Sequence, residues 1–196
     1  VQLFTRKGEG AFAPTVGAGF GTHNTRKIEA GVSGSAGVDG ALDYALGLTR
    51  ARSDGYDIRS SAGHNTDKDG YSATSGSARL GFKVNAQHRI DATVLGQTMN
   101  SGYDSSAAPV DDRNKNRLRT AGLTWAAQWS DAYTMRVSVT DTLSRYETDP
   151  SPYRTETQLR GYLWQNDYRV GAQRFTAALE RREDALVNPA LDSFST

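Results

Sequence analysis

The sequence predicts an all-β chain, and three observations carry that prediction. Apolar residues recur with a period of two in segment after segment. No stretch of comparable length carries an apolar stripe at helical spacing. Only 37% of the 196 residues are hydrophobic, yet nine Tyr, six Phe and three Trp are present, more aromatic content than a disordered chain carries. A net charge of +1, with both signs interspersed, speaks against a nucleic-acid-binding domain. The absence of Cys removes disulfides, thiolate metal sites and a cysteine nucleophile. No run of apolar residues is long enough for a helical membrane span.

Taken in order, the elements start with two Gly-rich strands at 15–20 and 27–36. Next, 39–52 places Leu42, Tyr44, Leu46 and Leu48 on one parity, and Asp43, Ala45, Gly47 and Thr49 on the other. Weaker alternation marks 72–84 and 88–99. Leu123, Trp125, Ala127 and Trp129 alternate with small or polar residues in 118–129. Tyr133, Met135, Val137 and Val139 do the same, opposite Thr134, Arg136, Ser138 and Thr140. Strands at 155–167 and 173–181 bring the count to about nine.

The connections are asymmetric. Short turns fall at Val38-Asp39-Gly40, Asn85-Ala86-Gln87, Ser130-Asp131 and 167–171, and longer polar links at 53–70, 102–115 and 147–155. Strands of about 12–15 residues exceed the usual 5–6 of soluble sheets. Long antiparallel strands, one polar face, and turns short at one end and long at the other describe a segment of a transmembrane β-barrel. Its apolar face looks outward to lipid, which explains why so few hydrophobic residues suffice. Trp125, Trp129 and Tyr133 flank one short turn, where an interfacial girdle would lie. A soluble β-sandwich also alternates, but strand length and loop asymmetry speak against it. Single-chain bacterial barrels have even strand counts, so nine implies a missed strand or part of a larger barrel.

The longest loop holds the most specific local signal. Asn65-Thr66-Asp67-Lys68-Asp69-Gly70 puts oxygen side chains at alternate positions before a glycine, the first half of a calcium-loop pattern. The second half is absent, because position 12 falls on Gly76. Further ligands would come from Asp54 and Asp57, from Tyr103-Asp104, or from Asp111-Asp112. The competing reading is that Asp, Asn and Gly here only make turns. The Gly runs 17–21 and 31–37 lack the Lys-Ser/Thr and following helix of a phosphate loop. Arg181-Arg182-Glu183-Asp184 reads as a solvated strand end. No nucleophile–base set is present, so the chain is not expected to be an enzyme.

Val1-Gln2-Leu3-Phe4-Thr5-Arg6-Lys7-Gly8-Glu9-Gly10 resembles the end of the plug domain in TonB-dependent outer-membrane receptors. Gly19-Phe20-Gly21-Thr22 resembles that family's first barrel hairpin. Ser53-Asp54-Gly55-Tyr56-Asp57, followed by Asn65 to Tyr71, then Gly102-Tyr103-Asp104 and Asp111-Asp112-Arg113, resembles the calcium-binding loops of the cobalamin-transporter type, and Trp164-Gln165-Asn166 adds to the match. The resemblance implies a plugged barrel of about 22 strands in the outer membrane of a Gram-negative bacterium. Residues 1–10 would be the last plug strand and 11–196 the N-terminal part of the barrel. It implies Ca²⁺ on Asp57, Asn65, Asp67, Asp69, Tyr103, Asp104 and Asp111, with Asp112 as the alternative to Asp111, and a ligand contact near Tyr153 and Thr155. The implied partners are cobalamin or a related corrinoid, TonB through the plug, and outer-membrane lipid. A siderophore or haem receptor, and a passive porin or adhesin barrel, are the alternatives.

Overall fold

The structure is a computed structural model that describes residues 8–189 and the backbone of 192–195. Residues 1–7, which carry most of the expected plug strand, lie outside the described residues. Ten strands form one sheet in sequence order: β1 (Ala13–Gly21), β2 (Thr25–Ala36), β3 (Leu42–Ser53), β4 (Tyr71–Lys83), β5 (His88–Tyr103), β6 (Asp112–Gln128), β7 (Tyr133–Asp149), β8 (Tyr153–Val170), β9 (Gln173–Asn188) and β10 (Asp192–Ser195). Every neighbouring pair is antiparallel. The all-β expectation therefore holds. The tenth strand adds one to the expected nine; at four residues it is too short to show alternation.

Two expected links shrink. The 147–155 link is a three-residue turn, because β7 runs to Asp149 and β8 resumes at Tyr153. Pro150 and Pro152 cannot donate to a ladder, so pairing stops there. Thr148 closes the turn: its hydroxyl donates to Ser151 O at 2.6 Å and accepts from Tyr153 N at 3.1 Å. The 102–115 link shortens to 104–111.

Register sorts the side chains into two faces. Along one row, Tyr44 sits beside Leu80, Leu80 beside Ala92, Ala92 beside Leu123, Leu123 beside Val139, and Val139 beside Tyr162. The next row, toward the short turns, runs Leu42, Phe82, Ile90, Trp125, Val137, Trp164 and Leu179. These rows belong to a band spanning about 20 Å along each strand, six residue steps at ~3.3 Å. Many of its members are exposed, Leu46 at 48%, Leu123 at 53% and Leu179 at 67%, while Tyr44, Ala92, Trp125 and Val137 are half-buried. Among the described residues, Ala127 is the one buried hydrophobic. At the short-turn end of this face the rings of His88 and Trp129 meet edge-on at 5.0 Å, and Trp125 and Trp129 at 6.1 Å.

The opposite face holds the buried polar groups. Asp43 of β3 takes Arg79 Nη1 of β4 at 3.1 Å and Arg89 Nη2 of β5 at 2.5 Å, while Asp91 takes both arginines again. Two cations and two anions thus close a neutral ring across three strands. Gly81 lies opposite both Asp43 and Asp91. A Cβ there would meet Arg89 Nη2 and both Asp43 carboxylate oxygens, so a larger residue would push the guanidinium out of the ring.

Asp43 is 3% exposed. Replacing it with Ala leaves two part-buried guanidiniums sharing one carboxylate, and we expect a stability loss of about 3 kcal/mol. Asp43→Ala/Arg89→Ala should lose less than the two single losses added together. Denaturant unfolding of the four proteins tests this; additive losses would show that the ring is not a unit.

Candidate cation site between two loops

The loop 54–70 joins β3 to β4, and the loop 104–111 joins β5 to β6, so both leave the same end of the sheet. Asp57, Asp69 and Asp104 converge between them, with carboxylate oxygens all within 4.8 Å of one another. The first loop must fold back on itself to bring Asp57 to Asp69. Gly55 permits this with φ of 70°, and a Cβ there would strike the Asp69 carbonyl at 2.0 Å. Asp69 N donates to Tyr56 O at 3.1 Å, and Ile58 N donates to Asp69 Oδ2 at 3.1 Å. Asp57 Oδ1 accepts Arg59 N at 3.0 Å, fixing its side chain by a local turn.

Cross-links hold the second loop against the first. Arg59 Nη1 donates to Asp104 O at 3.1 Å, Ala108 N donates to Gly63 O at 2.9 Å, and His64 Nδ1 lies 3.0 Å from Ser106 O. Gly102 N donates to Gly70 O at 2.9 Å, and a Cβ on Gly102 would sit 3.0 Å from Asp69 Oδ1. Beneath the loop, Asp112 is 2% exposed and accepts Ser105 N, Ser106 N and the Ser106 hydroxyl.

Asp104 is 9% exposed, and its Oδ2 is buried with no hydrogen-bond partner. Burial, followed by the charges of Asp69, Asp67 and Asp57, holds its carboxyl above the usual carboxylate range. A cation set among the three carboxylates would offset the burial and repulsion that disfavour the Asp104 charge. The donors are hard oxygens from two loops, a set that fits an oxygen-seeking divalent cation.

Of the residues expected from the sequence, the structure brings the carboxylates of Asp57, Asp69 and Asp104 together. Asp67 is exposed and acts on Asp104 only through its charge. Asn65 is half-buried in the same loop, and no hydrogen bond among the described residues joins it to the cluster. Tyr103 ends β5 opposite Asp112. Asp111 is taken by Arg113 Nη2 at 2.7 Å, and Asp112 by the serines, so neither alternative joins the three carboxylates. Asp54 is bound to the first hairpin, accepting Asn24 Nδ2 at 2.9 Å.

Tyr153 and Thr155 are gathered at the same end of the sheet by a residue the sequence did not single out. Asn188 Nδ2 donates to Tyr153 Oη at 2.7 Å and to Thr155 Oγ1 at 3.0 Å. Tyr153, Arg154, Thr148 and Asn188 line a cavity of about 570 Å³. Nothing near Asn188 in the sequence marks it, because its partners lie on the neighbouring strand.

No protein-family model matches the chain, and no curated protein matches it significantly.

The raised carboxyl of Asp104 makes a signed prediction. Its ionised form is disfavoured in the folded loops, so the penalty is absent below the ordinary value of 3.8. The penalty grows as pH rises above that value, and is complete once the folded group is ionised. In metal-free protein Asp104→Asn should therefore protect loop 54–70 from proteolysis at neutral pH, with the gain vanishing below 3.8. Equal protection at both pH values would show that Asp104 carries no such penalty.

Proposed function

We propose that the chain is part of the wall of an outer-membrane β-barrel receptor of the TonB-dependent, cobalamin-importing type, with loops ordered by calcium. The observation that carries the reading is the convergence of Asp57, Asp69 and Asp104 from two separate loops, one of them with a buried orphan oxygen. The exposed apolar band, and the single buried hydrophobic among the described residues, support a wall that faces lipid rather than a soluble core. The corrinoid as ligand rests on the order and spacing of the loop motifs from Asp57 to Asp111.

A bound divalent cation would supply the positive charge that lets three carboxylates stand together. The chain's own residues do the rest. Gly55 and Gly102 allow the close approach, while Arg59, Gly63 and Ser106 bind one loop to the other. Ordered in this way, the loops form a fixed rim above the polar face, where an incoming ligand is held. Tyr153 and Thr155, oriented by Asn188, offer it an aromatic ring and a hydroxyl.

Two measurements test the reading. In the full-length receptor, Ca²⁺ should raise cobalamin affinity about tenfold, and Asp69→Ala with Asp104→Ala should remove that dependence. Binding indifferent to a chelator sinks the calcium-ordered site. Separately, nitroxides at Val137 and Leu123 should report lipid, and those at Ser138 and Thr124 water. An aqueous signal from Val137 and Leu123 rules out the membrane wall.

A further inference from the structure

We infer that the apolar face carries, just beyond its apolar band on the long-loop side, a docking groove for the phosphate headgroup of an anionic membrane lipid. The inference rests on the membrane-wall reading above. On β6 the four positions of this face beyond Ala121 are Arg119, Arg117, Lys115 and Arg113, all basic. On β3 the two positions beyond Leu48 are Arg50 and Arg52. Between these cationic walls the register places only small or uncharged residues: Gly76, Thr74 and Ser72 on β4, and Gly96, Thr98 and Asn100 on β5. The floor is open, for a Cβ added at Gly96 would meet nothing within 4 Å. Three strand spacings separate the walls, about 14 Å. One groove of about 460 Å³ lies against Arg117 and Arg119 and has no acidic residue in its lining; a second of about 530 Å³ runs from Arg50 and Arg52 to Arg113 and meets Asp54, Asp67 and Asp111 at its loop end.

The charges on this stretch are under-neutralised. Arg50, Lys115 and Arg119 make no ion pair among the described residues. Arg117 reaches Glu147, and Arg52 reaches Asp54, only at 3.9 Å. Arg113 alone is closely held, by Asp111 at 2.7 Å. The neighbouring strands show what a solvated wall looks like. There the signs interleave and pair, Asp141 with Arg160 at 3.0 Å and Arg145 with Glu156 at 2.6 Å. No such compensation exists on the β5 side of β6. Guanidiniums suit phosphate oxygens, which they hold by paired hydrogen bonds. Immediately below the groove lie Leu48, Ala78, Val94 and Ala121, with Leu48 and Val94 largely exposed. A cationic shelf directly above an exposed apolar surface matches an amphiphile with an anionic head and acyl chains, and neither half alone.

The test uses the full-length receptor in neutral detergent micelles, titrated with dioleoylphosphatidic acid and followed by native mass spectrometry. Saturable binding should appear and should weaken about thirtyfold in Arg117→Gln/Arg119→Gln, at roughly 1 kcal/mol for each of the two cations near a charged surface. Arg50→Gln/Lys115→Gln provides a second variant should the first fail to fold, with the same expected loss. Arg160→Gln/Arg181→Gln, on strands whose cations are paired, should leave binding unchanged. Equal affinity for dioleoylphosphatidylcholine would overturn the inference, as would displacement by equimolar inorganic phosphate or indifference to both groove variants. Preferential capture of an acidic peptide over the lipid would overturn it too. Failure of the underlying membrane reading shows separately, as an aqueous nitroxide at Leu123.

Discussion

The backbone ladder between neighbouring strands is the interaction on which the rest of this structure depends. A soluble domain of this length holds itself together by burying apolar side chains. Here a single hydrophobic residue is buried among those described, so side-chain burial within the chain cannot be the main support. Nine antiparallel pairings run from β1 to β10, and the longest, β5–β6, β6–β7 and β7–β8, align sixteen residues each. In such a sheet each strand holds the next, and the side chains only decide which way each surface looks. Surroundings that offer no competing hydrogen bonds strengthen this ladder, as a lipid phase does.

The two faces answer that arrangement differently. The apolar face leaves most of its large side chains exposed or half-buried and gathers a few rings at the short-turn end, where His88, Trp125 and Trp129 meet. The polar face carries fixed chemistry. The ring of Asp43, Arg79, Arg89 and Asp91 links three strands by charge where apolar packing is absent. Polarity is also the theme at the long-loop end, where three carboxylates meet and a fourth, Asp112, caps the serines of its own loop. The charged ring and the loop cluster thus draw on the same acidic residue type. They are separated by whether a protein cation lies within reach.

Much of the fold was legible because strand side chains repeat with a period of two, and residues such as Leu42, Leu46, Val137 and Val139 carry that signal without any tertiary knowledge. The ends of elements were less legible. Glu147, Thr148 and Asp149 read as loop residues, yet they pair with Lys115, Asn114 and Arg113 of β6, beyond the apolar band where alternation of apolar and polar residues ends. The candidate site was half legible. Acidic residues at alternate positions pointed to Asp67 and Asp69, but spacing along one loop cannot say which of them turns inward. That depended on Gly55 folding the chain back and on Gly102 leaving space in another strand. Asp111 and Asp112 were indistinguishable in sequence; the structure engages one with Arg113 and the other with two serines. Asn188 carried no signal at all.

Strict two-residue register also governs which changes this chain can absorb over evolutionary time. A substitution within the band from Met135 to Val139 alters one contact. Inserting or deleting one residue there would rotate everything beyond it by half a period, turning Ser138 and Thr140 to the apolar side and the valines to the polar side. Changes in strand length must therefore come in pairs. Loops 54–70 and 104–111 feel no such parity, and they can lengthen, shorten and diversify freely so long as Asp57, Asp69 and Asp104 still meet. The wall is written in steps of two, and the rim is free to vary one residue at a time.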